Sequence, residues 1–195
     1  MHAVVHLELK HYVEARHGAA TWRGIFARSA VPLATGIGPY RDDELRVIVE
    51  ALAERTHTSP ESVLEDFGRF LASALIGLYP NLILREWRTL DVLEHAEQAI
   101  HRVVRVQSPA AHPPALQCRR LARDEAVILY SSPRKLCALA KGIIAGVASH
   151  YGERVNVVET SCMHRGDLSC RFVIRLEGTK GTGASAGSTA GPADV

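Results

Sequence analysis

The sequence has no dense run of lysine and arginine, and its formal net charge is only +2. Nucleic acid and an acidic membrane surface are therefore not the expected partners. No apolar run approaches the roughly 18 residues of a membrane span, and the N-terminus is charged too early for a signal peptide. These absences predict a cytoplasmic protein without a membrane span.

Cysteine is scarce, with four residues, whereas histidine is more frequent, with ten. Without an export signal, this composition indicates a reducing compartment, where metal binding or redox sensing is commoner than a disulfide framework. The sequence also lacks a phosphate-binding loop, a nucleophile–base pair and a kinase-like motif, so we do not expect an enzyme. With 47% hydrophobic residues in 195, the chain can bury a full core.

The first part of the chain reads as helices. Thr21 is expected to cap the second helix, and Asp42 and Asp43 place acidic residues at the positive end of the third. Ser59-Pro60-Glu61 combines a cap, a proline at the first turn and a following acid, which predicts the start of a fourth helix. A further helix is expected over about 90–106.

After Pro113-Pro114 the pattern changes to short strands around one helix at about 135–149. We therefore expect an α+β fold, with a helical N-terminal subdomain and a small antiparallel sheet against which a helix packs. Residues 1–177 should form one domain, divided near residue 60, and the apolar-poor residues 178–195 a disordered tail. The expected strands are 115–121, 126–130, 154–161 and 169–176.

The segment Tyr130-Ser131-Ser132-Pro133-Arg134 groups three hydrogen-bond donors. In an extended segment alternate side chains share a face, so Tyr130, Ser132 and Arg134 can point the same way. The rigid guanidinium of Arg134 suits a carboxylate or a phosphate. Taken alone, the pentapeptide favours an ordinary surface turn; taken with the rest of the chain, it predicts an anion-binding site.

Four residues near the C-terminus have the side chains of a metal site. Cys162 and Cys170 are symmetric about Gly166, which predicts cross-strand neighbours, and His164 shares a face with Cys162 by the period-two rule. Cys137 opens a helix, where the dipole should favour its thiolate. Three thiolates and an imidazole form a complete tetrahedral set for zinc. Small buried cysteines and a simple Cys162–Cys170 disulfide are the alternatives.

His101 lies in a helix with apolar neighbours, where either a packed core histidine or a metal ligand fits. Pro114, Cys118 and Tyr130 follow it by thirteen, seventeen and twenty-nine residues. This order of histidine, Pro-Pro pair, cysteine and Tyr-x-Ser-x-Arg resembles the haem nitric oxide/oxygen-binding (H-NOX) family, over about residues 1–177. Weaker matches are His17-Gly18 with Trp22, Tyr40-Arg41-Asp42-Asp43, and Phe67-Gly68.

The resemblance implies haem b between the helical part and the sheet. His101 would be the proximal ligand to the iron, and Tyr130, Ser132 and Arg134 would bind the haem propionates. Pro114 would press on the macrocycle and distort it, or it is simply a turn proline at the subdomain junction.

Two further histidines, His95 and His112, could compete with His101 for the iron. His95 precedes His101 by six residues, which places it on roughly the opposite face of a helix. The spacing of the family favours His101.

The resemblance also implies which gas binds. In oxygen-binding members a tyrosine five residues after the motif arginine donates a hydrogen bond to bound oxygen; here Leu139 has that place. Leu9 and Leu71 stand at the supporting polar positions. Since such a hydrogen bond is worth roughly 1.5–3 kcal/mol, the resemblance implies a sensor that binds nitric oxide and carbon monoxide but not dioxygen.

By analogy with stand-alone bacterial members, the signal would pass to a separate chain, a histidine kinase or a cyclic-di-GMP enzyme. Members with the same YSSPR…LC…CMH…C arrangement are taken to bind zinc and to respond to oxidation. The alternative function is therefore a redox sensor in which Cys137, Cys162, His164 and Cys170 bind zinc, with or without haem. A more distant alternative follows from the CMHRGDLSC segment, which is similar to the V4R domains and implies an apolar organic ligand.

Overall fold

The computed structural model describes residues 3–28, 42–107 and 112–178. Helices precede a four-stranded sheet, and one further helix lies between its second and third strands, which confirms the predicted α+β fold. The predicted loop at 33–41 and almost all of the predicted tail lie outside the described residues. The helices are α1 (Ala3–His17), α2 (Ala19–Arg28), α3 (Asp42–Thr56), α4 (Pro60–Leu78), α5 (Thr89–His95), α6 (Arg102–Gln107) and α7 (Cys137–His150); the strands are β1 (Ala115–Ala122), β2 (Glu125–Ser131), β3 (Val155–Ser161) and β4 (Cys170–Leu176).

The sheet is antiparallel, with the strands in the order β1-β2-β4-β3. Ile128 on β2 is opposite Phe172 on β4, and Ala126 is opposite Ile174. All four side chains are buried in one core cluster, as the two-residue period of a half-buried strand requires. None of the helices within the described residues is long and apolar enough to cross a membrane.

A second core lies among α1, α3 and α4, and α7 packs closely against α4. Glycines allow this approach, because a Cβ at Gly142 would overlap the carbonyl oxygen of Glu65. A Cβ at Gly146 would lie 2.6 Å from the carbonyl oxygen of Arg69. The main chains of the two helices are thus almost in contact, which fixes the position of α7 relative to the helical core.

The N-termini of α4 and α2 show whether the predicted capping residues are in place. Ser59 accepts a hydrogen bond from the amide of Ser62 at 3.1 Å, so its predicted role as N-cap of α4 is confirmed. The predicted cap at Thr21 is wrong, because α2 begins at Ala19 and the Thr21 hydroxyl instead donates to the carbonyl of His17 at 2.7 Å.

The helix predicted over about 90–106 is found, but it is not a regular α-helix throughout. A π-helical turn over Ala96–His101 connects α5 to α6. The amide of Arg102 donates to the carbonyl of Glu97, five residues back, which is the spacing of a π-helix. Such turns occur frequently at functional sites, and this one ends at His101.

Candidate functional site

An apolar cavity lies between the helical core and the sheet. Helices α1, α4 and α7 contribute aliphatic side chains to its wall, among them Val5, Leu71 and Ile143. The six residues predicted for a cofactor all line this one cavity: His101, Pro114, Leu139, Tyr130, Ser132 and Arg134. Among the described residues, the polar ones that line it are Tyr79, His101, His112, Tyr130, Ser132 and Arg134.

His101 is placed by the end of the π-helical turn, and its side chain is 18% exposed. Its Nδ1 lies 3.1 Å from Oε2 of Glu97. Burial lowers the pKa of His101, although the hydrogen bond to Glu97 opposes this effect. A carboxylate can only accept, so Nδ1 carries the proton and the neutral ring keeps its lone pair on Nε2. This is the tautomer that binds a metal through Nε2.

Glu97 accepts two hydrogen bonds besides the one from His101. Arg105 donates from Nη2 to Oε1 at 2.6 Å, and the amide of Leu116 donates to Oε2 at 3.1 Å. Burial acts to raise the pKa of Glu97, but the hydrogen bonds from Arg105, His101 and Leu116 outweigh it and the pKa is lowered. Sequence reasoning missed this residue; the only local signal was the Glu–His spacing of four within a helix.

The three predicted donors line the same cavity as His101. Tyr130 and Ser132 are buried, and burial raises the pKa of Tyr130 to about 12, so its phenol keeps the proton that it donates. The amide of Arg134 donates to the Ser132 hydroxyl at 3.3 Å, and its Nη1 donates to the carbonyl of His112 at 2.6 Å. The donors are thus held in place by local hydrogen bonds, as a site for a carboxylate requires.

The two competing histidines are placed differently from His101. The ring of His95 stacks on Trp87 with centroids 4.5 Å apart, and it does not line the cavity. His112 lines the cavity but is exposed, at a main-chain φ of +43°.

The positions that would hold a polar group for oxygen are apolar and buried. Leu139 and Leu71 line the cavity, whereas Leu9 lies in the helical core. Tyr79, just after α4, adds a phenol to the lining that sequence reasoning missed, because the residue follows the periodic part of that helix. Burial raises the pKa of Tyr79, so its hydroxyl stays protonated at neutral pH.

Three of the four cysteines come together where β3 ends and where β4 and α7 begin. The Sγ atoms of Cys137 and Cys162 are 3.7 Å apart, and those of Cys162 and Cys170 are 3.9 Å apart; all three thiols are buried and free. With the carboxylate of Glu159 they form a group whose ligand atoms lie within 4.8 Å of one another. Cys118 is not part of it.

His164 lies outside this group. Residues Met163–Arg165 form a 3-10 turn, so the expectation that His164 shares a face with Cys162 is wrong. The imidazole is exposed, and its Nε2 lies 2.8 Å from the carbonyl oxygen of Lys135.

The predicted thiolate at Cys137 is also wrong for the cluster as it stands. Burial raises the pKa of Cys137 to about 12, and the neighbouring thiols add to that effect. Burial raises the pKa of Cys170 as well. Desolvation thus outweighs the dipole of α7, so Cys137 and Cys170 need a cation beside them to ionise at neutral pH.

The chain is similar to proteins of one known family. The family described as Haem-NO-binding matches residues 2–159. An H-NOX protein from Shewanella oneidensis in the Fe(II)NO ligation state superposes with a TM-score of 0.84 at 24% identity, over 91% of this chain and 100% of that one. The unliganded Fe(II) H-NOX protein from K. algicida gives 0.81 at 21% identity, over 92% and 98%. An H-NOX mutant from T. tengcongensis gives 0.77 at 20%, over 89% and 96%. No curated protein matches the chain.

Proposed function

This chain belongs to the Haem-NO-binding family, and from that premise we propose that it binds haem b and senses nitric oxide. The observation that carries the proposal is an apolar cavity whose wall contains His101 together with the donors Tyr130, Ser132 and Arg134. When bound, the haem supplies an iron at which nitric oxide or carbon monoxide can bind.

The residues of the cavity fit this cofactor on three counts. Its aliphatic walls suit a flat macrocycle, whose surface is mostly apolar. His101 offers a neutral imidazole whose Nε2 is left for a metal, because Nδ1 donates to Glu97. Ser132, Tyr130 and Arg134 offer donors for the two carboxylates of haem.

Pro114 lines the cavity next to β1, where it would contact the bound haem. A rigid ring at that position resists displacement, so Pro114 would press on the bound cofactor. Mutation of Pro114 to alanine should therefore relieve this contact without removing the proposed ligand His101.

The apolar side chains of Leu139 and Leu71 support discrimination against dioxygen, since neither can donate a hydrogen bond to it. A donor is worth roughly 1.5–3 kcal/mol, which corresponds to about one to two decades of affinity. Nitric oxide and carbon monoxide do not depend on such a donor. A stable oxygen complex of the reduced protein in air would contradict this part of the proposal.

Mutation of His101 to alanine tests the proposed ligand. The absorption spectrum of the reduced variant should lose the Soret band of a histidine-ligated haem, because the proposed imidazole ligand is removed and His112, the other histidine that lines the cavity, is exposed. His95→Ala is the matched control, since that ring stacks on Trp87 and does not line the cavity. Loss of the band in His95→Ala but not in His101→Ala would refute the assignment.

By analogy with stand-alone bacterial members of the family, the output of the sensor is proposed to act on a histidine kinase or a cyclic-di-GMP enzyme. The test compares the activity of such an enzyme in the presence of unliganded and nitric-oxide-treated protein. Equal activity in both states would contradict it.

A second candidate function rests on the cysteine cluster. We propose that Cys137, Cys162 and Cys170 bind zinc, with Glu159 or His164 as the fourth ligand, because the three thiols and the Glu159 carboxylate already lie within 4.8 Å. Zinc would supply the positive charge that the thiols of Cys137 and Cys170 need to ionise. Metal content should fall in Cys170→Ser and stay unchanged in Cys118→Ser.

The same cluster would make the protein a redox sensor. Hydrogen peroxide would take two electrons from two of the thiolates, which form a disulfide and release zinc, while the peroxide and two protons yield two water molecules. Cys162 and Cys170 are suited to this, with Sγ atoms 3.9 Å apart. Zinc and haem content, measured with the responses to peroxide and to nitric oxide, separates the two functions; zinc retained under peroxide would contradict the second.

A further inference from the structure

We propose that Glu97 is a positioning residue that orients the ring of His101 and couples its movement to strand β1; this inference rests on the proposed binding of haem. Glu97 and His101 lie within the same π-helical turn, at its second and last positions. Their side chains meet at 3.1 Å, between Oε2 and Nδ1.

The first part of the inference concerns the ring of His101. A carboxylate that accepts from Nδ1 holds the ring at one angle and makes Nε2 a stronger donor to a metal, since the acceptor stabilises positive charge on the imidazole. The carboxylate is itself fixed, because Arg105 donates to its other oxygen at 2.6 Å. A hydrogen bond to the main chain of Pro114 also raises the pKa of His101, so Glu97 supplies one of two hydrogen bonds to the ring.

The second part concerns strand β1, which is an edge strand of the sheet. The amide of Leu116 donates to Oε2 of Glu97 at 3.1 Å, the same oxygen that accepts from His101. Leu116 is opposite Tyr130 in the sheet, and both residues line the cavity. A rotation of the His101 ring therefore alters a hydrogen bond to the strand, and one oxygen atom connects the proposed iron ligand to the sheet.

The test uses Glu97→Gln in the full chain, which keeps the shape of the side chain and removes its charge. Glu94→Gln is the matched control, because Glu94 lies one turn earlier and accepts from Arg120 at 3.2 Å rather than from His101. The first measurement is the iron–histidine stretching frequency of the reduced, gas-free protein by resonance Raman spectroscopy. The second is the exchange rate of the Leu116 amide with deuterium, which needs no haem.

Glu97→Gln should lower the stretching frequency and accelerate exchange at Leu116 about fivefold, since a neutral acceptor is the weaker one. In the wild type, nitric oxide should change the exchange rate at Leu116; in Glu97→Gln this change should be lost. Glu94→Gln should match the wild type in all three respects. Glu97→Ala should show the same effects more strongly.

The following outcomes would overturn the inference. Faster exchange at an unchanged stretching frequency would mean that Glu97 only holds the strand. Wild-type values throughout, or equal shifts in Glu94→Gln, would mean that it has no specific role. A wild type without any iron–histidine band would refute the proposed function itself, and this inference with it. That result is distinguishable from the others, because the others leave the band of the wild type in place.

Discussion

Mutation of Gly142 to alanine tests how closely α4 and α7 pack. A Cβ at this position would overlap the carbonyl oxygen of Glu65 and lie 2.8 Å and 2.9 Å from its carbonyl carbon and Cα. These obstacles are main-chain atoms of a helix, so no flexible side chain can move aside, and the two helices must separate.

The magnitude follows from two opposing effects. Overpacking of a core costs about 1–3 kcal/mol, and a main-chain obstacle at Gly142 places this variant near the upper end. Alanine in a helix gains about 0.5–1 kcal/mol over glycine. The free energy of unfolding of Gly142→Ala should therefore fall by about 2 kcal/mol, which lowers Tm by about 4–8 °C for a chain of this size.

Gly24→Ala is the matched control. Gly24 also lies inside a helix, but a Cβ there would meet nothing within 4 Å. Only the gain in helix propensity remains, so this variant should be more stable than the wild type by about 0.5–1 kcal/mol. Urea and thermal unfolding, followed by circular dichroism at equal haem loading, measure both. A Gly142→Ala protein as stable as Gly24→Ala would refute the reasoning about the helix pair.

Two further predictions concern stability. Tyr12→Phe should lower the free energy of unfolding by about 1.5–3 kcal/mol, because the buried phenol donates to Asp66 at 2.9 Å. Burial and Asp66 raise the pKa of Tyr12, so its contribution to stability is complete below the unfolded pKa of about 10 and is lost as the pH rises through the higher folded pKa. The free energy of unfolding, measured by urea titrations at pH 8–11, should therefore fall less steeply with pH in Tyr12→Phe than in the wild type. An equally steep fall in both proteins would contradict this. Ser59→Ala should cost about 0.5–2 kcal/mol by loss of the N-cap of α4, measured by the same unfolding experiment, and Ser62→Ala should cost less; equal losses would contradict the cap.

The features that sequence reasoning predicted correctly depend on neighbours along the chain. The strand β2 and the start of α4 at Ser59 follow from local periodicity and capping chemistry, which involve residues only a few positions apart. The failure at Thr21 also has a local cause, because Gly18, with φ at +85°, ends α1 and lets α2 begin three residues earlier than expected.

The residues of the candidate site were also predicted only in part from the sequence. The order and spacing of His101, Pro114 and Tyr130 were sufficient to select residues that line one cavity, because a motif records a tertiary arrangement in the sequence. The arrangement of the cysteines was predicted only in part: the three thiols meet, but the 3-10 turn at Met163–Arg165 leaves His164 exposed and Glu159 beside them.

By itself, the sequence determined the class of fold, its helices and strands, and the side chains available for a cofactor, since these depend on local pattern and residue type. Only the tertiary structure decided what surrounds those side chains. Burial raises the pKa of Cys137 against the helix dipole, Gly142 brings two helices into main-chain contact, and Glu97 reaches Leu116 nineteen residues away. Desolvation, close packing and long-range hydrogen bonds depend on distance in space, which no local pattern of residues specifies.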